Sequence, residues 1–393
     1  MSTISITASL AVRALEKDTF QSLSLWLPCG ARGVFGGQVI GQALLSASKT
    51  VQSLGLHSQH READPTVPIV YVVERLRDGT SHIGIRLIEQ VDPTPPALQR
   101  DRPIFILIAS YTTPPLPLPS HFPASTPTRR DGDETSEAHL SHSLRFALTP
   151  SPSPSSALSA DARGLRDKAE PPIPFAESYQ IPFPSGLLPW EACEEEEVRW
   201  DKFLQQRGES YGGKRRIAVE EYIEERRRSP ISLAVAKKSP NAKGGEERST
   251  RLMWMRARMH EGETVDEEFI KAMFAYMTDF QFIGTASKSV GLTRSSTPRL
   301  GMLASLDHTT HFYPLPPNFD PSTPLLHVME SPLTHVASGR GVVRGLLFTA
   351  SGQLVAVTSQ EGVVRADLKG MEERGLLEGR GVGEEEEGVR SKL

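Results

Sequence analysis

Residues 34–51 of the chain are VFGGQVIGQALLSASKTV, the segment on which the fold assignment rests. Its apolar residues recur at spacings of one, three and four: Val39, Ile40, Ala43, Leu44, Ala47 and Val51. This periodicity predicts a helix with a buried face, and Gly36 and Gly37 mark its start. Three β-rich segments follow it: PIVYVVERL (68–76), HIGIRLIEQV (82–91) and RPIFILIASYTT (102–113). One helix followed by antiparallel strands predicts a sheet wrapped around a helix.

The same order of elements recurs in the second part of the chain. YIEERRR (222–228) and TRLMWMRARM (250–259) are predicted strands, and residues 266–291 form a helical pattern. Four more β segments follow: 301–314, 325–333, 341–350 and 353–365. The last two meet at Ser351 and Gly352, which predicts a hairpin. The chain therefore shows an internal duplication and belongs to the α+β class.

The boundaries follow from composition. Residues 1–113 form the first half and residues 173–369 the second. The Pro- and Ser-rich linker 114–172 is predicted to be largely disordered, and the Gly- and Glu-rich tail 370–393 to be flexible. The tail closes with Ser391, Lys392 and Leu393, the tripeptide that a peroxisomal import receptor recognises at a free carboxyl terminus.

Composition excludes several functions. The chain has 393 residues, of which 38% are hydrophobic, and a net charge of -4. Without a basic excess, nucleic acid is not expected as a partner. Cys29 and Cys193 match neither a disulfide framework nor a metal motif, so no metal is expected. No run of 18 apolar residues predicts a membrane span.

Several blocks of sequence carry a resemblance to a known family. They are VFGGQVIGQALLSASKTV (34–51), RLRDGTSHIGIRLIEQ (75–90), RLMWMRARM (251–259), AYMTDFQFIGTA (275–286), ASLDHTTHFY (304–313), ESPLTHVASGRGVVRG (330–345) and LVAVTSQEGVVR (354–365). In this order the blocks resemble the acyl-CoA thioesterase II family of double hot-dog proteins. With the final tripeptide, the resemblance is closest to the peroxisomal long-chain acyl-CoA thioesterases.

The resemblance implies a reaction and its setting. Fatty acyl-CoA would be hydrolysed to free fatty acid and CoA in the peroxisomal matrix. CoA would enter as part of the substrate, so no separate cofactor is expected. Members of the family usually assemble, which implies a homo-oligomer.

The resemblance also implies a catalytic set of Asp279, Ser305 and Gln360. A carboxylate bonded to a hydroxyl and an amide can hold and polarise the water that attacks a thioester. The carboxylate could instead attack directly and form an anhydride. Asp279 is expected at the start of a helical stretch, at the positive end of its dipole. Without the resemblance, Asp279 would be a helix cap, and Ser305 and Gln360 ordinary strand and hairpin residues.

Four further residues are candidates for substrate contacts: Gly36, Gly37, His308 and Arg340. For His308, a packed or hydrogen-bonded structural role is the alternative. Because the first half has no Gln near the end of 102–113, one active site per chain is expected.

Three other features are assigned no function. GESYGGK (208–214) has the spacing of a phosphate-binding loop, but Arg215 stands where a Ser or Thr should bind magnesium. Residues 226–228, three arginines that could meet CoA phosphates, are expected at a solvated strand edge. Residues 194–197, four glutamates, are expected on a solvated face.

The sequence departs from the family pattern at LHSQHREADPTVPIVY (56–71), which is several residues shorter. A strand of the first sheet is therefore expected to be missing or replaced near residues 58–66. Such a loss would expose a sheet edge. It would favour the alternative of a catalytically inactive protein that binds acyl-CoA or scaffolds a partner. Enoyl-CoA hydration, with His308 as the base, is a third reading.

Overall fold

A computed structural model describes eleven stretches of the chain: 3–29, 31, 33–50, 56–60, 68–78, 83–91, 105–112, 183–208, 213–239, 249–293 and 296–367. The described parts of residues 1–113 and 187–393 form one compact unit. The predicted linker 114–172, the predicted tail 370–393 and the tripeptide Ser391, Lys392 and Leu393 lie outside the described residues.

Six α-helices lie in the described residues. They are α1 (Ile6–Leu10), α2 (Gly36–Ser48), α3 (Glu196–Arg207), α4 (Lys214–Arg228), α5 (Glu267–Thr278) and α6 (Gly284–Ser289). Helix α2 begins at Gly36, as the glycine pair predicts. Helix α5 begins after Asp266, whose side chain accepts a hydrogen bond from the Phe269 N–H over 2.8 Å. That cap satisfies one of the free N–H groups of the first turn.

Thirteen strands lie in the described residues. The first six are β1 (Val12–Glu16), β2 (Thr19–Ser22), β3 (Leu56–His60), β4 (Val70–Asp78), β5 (Ile83–Val91) and β6 (Phe105–Thr112). The others are β7 (Ile231–Val235), β8 (Thr250–Ala257), β9 (Leu300–Ser305), β10 (Asp307–Phe312), β11 (Leu325–His335), β12 (Arg340–Thr349) and β13 (Leu354–Ala366). The predicted hairpin joins β12 to β13, and Gly352 in its turn has a φ of 91°.

The strands form one antiparallel sheet in the order β1-β2-β4-β5-β6-β3-β10-β13-β12-β11-β8-β7, and β9 also pairs with β13. The two ends of this order repeat each other in reverse. Strands β3 and β10 pair at the centre and join the two halves. The sheet therefore confirms the duplication, and the α+β double hot-dog architecture expected from the sequence is correct.

A strand was expected to be missing near residues 58–66, but the chain forms strand β3 at Leu56–His60. Strand β3 lies between β6 and β10, the place that β10 takes in the second half. Residues 61–67 are outside the described part of the chain. Over Leu56–His60 the expectation of a lost strand is not met, because β6 and β10 both have a partner there.

Helices α2 and α5 pack against each other at the centre of the molecule. A Cβ atom on Gly37 would lie 2.5 Å from the Tyr276 carbonyl oxygen, and one on Gly41 would lie 2.9 Å from that of Ala272. Only glycine allows the helix backbones to approach this closely. One hydrophobic cluster extends through both halves, so the halves share a core.

The prediction of a strand at residues 222–228 was wrong. These residues are the last turns of α4, a helix with ion pairs one turn apart such as Arg216–Glu220 at 2.8 Å. The solvated strand edge was wrong for Arg226, which is 2% exposed, with its guanidinium 4.8 Å from the Phe280 ring centroid. Its charge is compensated by Glu225 over 2.9 Å and by the faces of aromatic rings.

Residues 194–197 were expected on a solvated face, and this prediction was wrong for the last two of them. Glu196 and Glu197 are 2% and 8% exposed. Glu196 accepts a hydrogen bond from Tyr222, and Glu197 pairs with Arg258 over 2.5 Å. Burial raises the pKa of Glu197. The glutamate run therefore anchors α3 to the body of the second half instead of facing water.

Two predicted elements are each divided. The helical pattern 266–291 forms α5 and α6, with a turn at residues 279–283 in which Gln281 has a φ of 53°. The predicted strand 301–314 forms β9 and β10, with Leu306 between them. Both strands pair with the same edge of β13, so Leu306 is an extra residue that interrupts one continuous pairing.

Candidate active site

Asp279 directly follows the last residue of α5 and is its C-terminal cap. The expected position at the positive end of a helix dipole was therefore wrong: the negative end of α5 lies here, and α6 begins only at Gly284. The Asp279 carboxylate instead receives a side-chain donor. Gln360 Nε2 donates a hydrogen bond to Asp279 Oδ1 over 2.7 Å.

His308 extends this contact into a chain of hydrogen bonds. Its Nδ1 lies 3.1 Å from Gln360 Nε2, and its Nε2 lies 3.3 Å from Thr278 Oγ1. Thr278 Oγ1 donates to the Phe274 carbonyl oxygen over 2.9 Å. The set is satisfied when neutral His308 accepts at Nδ1 and donates from Nε2. Gln360 then gives one N–H to Asp279 and the other to His308.

Ser305 lies beside this chain at the end of β9. It is directly opposite Gly362 in the pairing of β9 with β13, so both residues are on the face of the sheet that bears Gln360. A Cβ atom on Gly362 would overlap the side chain of Ile283 and lie 2.7 Å from the Ala304 carbonyl oxygen. The glycine thus lets the turn that carries Asp279 pack against β13. The described residues show no hydrogen bond from Ser305 Oγ to Asp279 or Gln360.

A half-buried arginine, Arg251, holds the turn after Asp279. Arg251 Nη1 donates to the Gln281 carbonyl oxygen over 3.2 Å, and its Nη2 donates to Gln281 Oε1 over 2.5 Å. Gln281 Nε2 donates in turn to Glu196 Oε2 over 3.4 Å. Burial lowers the pKa of Arg251, opposed by the attraction of Glu196. Strand β8 and helix α3 therefore fix the turn from two sides.

Phe280 ties the same turn to the first half. Its ring stacks on Trp26 with centroids 5.6 Å apart and lies 4.6 Å from Phe35. Arg226 lies over Phe280 and Trp26 at 4.8 and 5.3 Å. Aromatic contacts of this kind contribute about 0.5–1.5 kcal/mol each beyond burial. The position of Asp279 thus depends on residues from both halves.

The other predicted site residues lie in different places. Gly36 and Gly37 begin α2, where Gly37 is explained by the close approach to α5. Arg340 begins β12, is 44% exposed and lies 3.9 Å from Glu361. The roles of Asp279, Ser305, Gln360, Gly36, Gly37, His308 and Arg340 in catalysis or substrate contact stay predictions.

The first half has different residues at the matching positions. Lys49 caps α2 as Asp279 caps α5, and its Nζ donates to the Val12 carbonyl oxygen over 3.2 Å. Strand β6 takes the place of β13 in the reversed strand order. Among its described side chains, the buried ones are the apolar Phe105, Leu107 and Ala109. A second carboxylate–amide pair is therefore absent from the described residues of the first half.

The sequence reasoning did not identify Thr278, Arg251 or His327 as part of this region. Thr278 precedes Asp279 directly and could have been found from that adjacency. His327, on β11, is fully buried, and burial with nearby His308 and Arg251 lowers its pKa to about 3.

No helix in the described ranges has the length and apolar character needed to cross a bilayer.

Comparisons with known proteins agree with this architecture. Residues 202–364 match the family model of the acyl-CoA thioesterase C-terminal domain, a range that contains Asp279, Ser305 and Gln360. Human acyl-coenzyme A thioesterase 8 is 28% identical over 366 residues, which cover 92% of this chain and 88% of that protein. Acyl-CoA thioesterase 2 of Haemophilus influenzae is 35% identical over 106 residues, 26% of this chain and 34% of that protein.

Solved structures support the fold alone. The acyl-CoA thioesterase II TesB2 from Mycobacterium marinum is 22% identical, with a TM-score of 0.56 over 93% of this chain and 100% of that one. A putative thioesterase II from Thermobifida fusca gives a TM-score of 0.52 at 14% identity, over 93% and 98% of the two chains. By the matched domain, the relatives and the shared fold, the chain is similar to acyl-CoA thioesterases and has the double hot-dog fold.

Proposed function

We propose that this protein hydrolyses fatty acyl-CoA thioesters at a single site formed by Asp279, Gln360 and Ser305. The observation that carries the proposal is the hydrogen bond of 2.7 Å from Gln360 Nε2 to Asp279 Oδ1. Gln360 is fully buried, and the Asp279 side chain is 7% exposed. A carboxylate that is oriented by a buried amide, and whose second oxygen has no hydrogen bond from the described residues, suits the activation of water.

The reaction follows from these groups. Asp279 Oδ2 accepts a proton from a water molecule while the water oxygen forms a bond to the thioester carbon. An N–H or O–H donor stabilises the oxyanion that develops, and we assign this role to the hydroxyl of Ser305, which is on the same face of the sheet as Gln360. The C–S bond then breaks, and the proton passes from Asp279 to the sulfur of CoA. The products are a fatty acid and CoA, and no cofactor is used.

Direct attack by Asp279 on the thioester carbon would use the same residues. It would give a mixed anhydride and CoA, and water would then hydrolyse the anhydride. The N–H donor of Gln360 orients the carboxylate in either route and lowers its basicity and its nucleophilicity alike. We propose the role of general base for Asp279, since this route needs no covalent intermediate.

We propose that the protein acts in fatty acid metabolism in the peroxisome, because its expected substrate is a fatty acyl-CoA and its tail contains the tripeptide 391–393. The proposal rests on the similarity to acyl-coenzyme A thioesterase 8 and on residues 391–393. A fluorescent fusion that leaves the carboxyl terminus free should enter peroxisomes. The same fusion without residues 391–393 should stay outside them, and equal distribution of the two would contradict the assignment. Assembly as a homo-oligomer stays a prediction.

Activity is tested with the purified full-length chain and a long-chain acyl-CoA. We expect free thiol to appear together with equimolar fatty acid, identified by mass spectrometry. The inactive, acyl-CoA-binding alternative predicts saturable binding without either product. Binding without thiol release would therefore contradict the proposed function and support that alternative.

A further inference from the structure

Five buried polar atoms lie together on the inner face of the second half. They are Thr310 Oγ1, His327 Nδ1, His327 Nε2, Thr358 Oγ1 and Gln360 Oε1. None of them has a hydrogen-bond partner among the described residues, and their side chains are at most 2% exposed. Each unpaired buried atom would cost about 1–3 kcal/mol. In native proteins nearly all such atoms have a hydrogen-bond partner, so we expect this group to have one as well.

The atoms converge although they come from three strands. Thr310 on β10 is directly opposite Thr358 on β13, and Thr358 shares its face of β13 with Gln360. His327 is on β11, and β12 lies between β11 and β13. The His327 and Thr358 side chains approach each other over Gly345. A Cβ atom on Gly345 would overlap Thr358 Oγ1 and lie 2.5 Å from His327 Nε2.

The apolar ring of Phe282 packs against this group. The Phe282 ring lies 5.2 Å from the His327 ring, and its Cε2 would lie 3.0 Å from a Cβ on Gly345. Phe282 belongs to the turn that carries Asp279, and Gln360 belongs both to this group and to the candidate active site. The group and the site are therefore adjacent. Buried polar atoms without a protein partner are the setting of buried structural water, which typically makes about three hydrogen bonds.

We propose that Thr310, His327, Thr358 and Gln360 Oε1 form an internal water-binding site, separate from the water consumed in hydrolysis. The bound water donates to Gln360 Oε1 and accepts from, or donates to, the hydroxyl and imidazole groups. Both N–H groups of Gln360 are already directed at Asp279 and His308. A donor at Oε1 therefore completes the amide and prevents it from turning its oxygen toward the Asp279 carboxylate.

Thr358 and His327 are positioning residues in this arrangement, since they act on Asp279 through water and Gln360. Neutral His327 suits the site because its Nε2, which lies beside Gly345 and Thr358, donates or accepts according to the tautomer. The effect on turnover rests on the proposed thioesterase function, whereas the water site itself does not. Two measurements therefore separate the two claims.

The first measurement is a high-resolution crystal structure of the full-length chain and of Thr358→Val. We expect an ordered water within hydrogen-bonding distance of Thr358 Oγ1 and Gln360 Oε1, and its loss in the variant. Direct hydrogen bonds between Thr358, His327 and Gln360 with no water between them would overturn the proposal. This arm decides the water site even if the wild-type chain hydrolyses no thioester.

The second measurement compares Thr358→Val with Thr358→Ser. Valine keeps the shape and removes the hydroxyl, while serine keeps the hydroxyl and removes a methyl group. We expect Val to lower kcat about tenfold or more with KM unchanged, since small displacements of catalytic groups are costly, and Ser to restore it. A packing role alone predicts the reverse order, because Ser leaves a cavity. Full turnover by Thr358→Val would overturn the positioning role.

Discussion

Lys49 caps the end of α2 at the position where Asp279 caps the end of α5. The two helices pack side by side, and the strand order of the sheet repeats in reverse around them. One half thus has a cation where the other has a carboxylate. Because an ammonium group cannot act as the base for water, the duplication is expected to have left one site per chain.

A single site predicts the stoichiometry of binding. Calorimetric titration with a non-hydrolysable thioether analogue of acyl-CoA should give one equivalent per chain. Lys49→Asn should leave kcat within about twofold and lower stability by about 1 kcal/mol, through the loss of the side-chain hydrogen bond to the Val12 carbonyl oxygen. Two equivalents per chain, with turnover reduced in Lys49→Asn, would contradict the account.

Gln360→Glu should move the pH profile of the reaction. The new carboxyl would replace an N–H donor 2.7 Å from Asp279 Oδ1, and two carboxyl groups this close cannot both ionise. We expect the acid limb of the kcat/KM profile to move upward by about one pH unit or more, because the pair retains a proton. Gln353→Glu, the same change at the β12–β13 turn, is the control. An unchanged acid limb in Gln360→Glu would show that Gln360 does not orient the base.

His327 should make the folded chain sensitive to acid. Its pKa is lowered to about 3 in the folded state, so between about pH 6.5 and 3 the unfolded chain binds a proton that the folded chain does not. Stability should therefore fall with decreasing pH in that window, by about 1.4 kcal/mol per pH unit from this residue well below 6.5. Urea unfolding at several pH values should show a shallower decline for His327→Gln, and His335→Gln is the exposed control. Equal slopes in wild type and His327→Gln would refute the effect.

The fold was predictable where local pattern and tertiary packing agree. Helix α2 begins at the glycine pair, and strands β4, β5 and β6 overlap the β-rich segments. Buried apolar residues of α2, β4 and β6 face a common core. Helix α4 was missed because YIEERRR was considered without the residues before it. Over Lys214–Arg228, ion pairs one turn apart and the absence of Gly and Pro favour a helix.

The candidate site was predictable only as a set of residue types. Asp279 and Gln360 are 81 positions apart, and no local pattern shows that they form a hydrogen bond. The position of Asp279 at the negative end of α5 depended on the break of the helical pattern after Thr278. That break requires the left-handed conformation of Gln281, which Arg251 stabilises from another strand. Such contacts are tertiary, so the sequence could not reveal them.

The comparison of Asp279→Asn with Asp266→Asn tests the central claim most directly. Both variants replace one carboxylate at an end of the same helix, and Asn caps the start of a helix as well as Asp does. The measurement is kcat/KM for thiol release from a long-chain acyl-CoA, with each variant confirmed as folded by its thermal unfolding. We predict a loss of about 10²–10⁴-fold for Asp279→Asn, as for removal of a general base, and a change within twofold or so for Asp266→Asn. Equal activity of the two folded variants would contradict the role of Asp279.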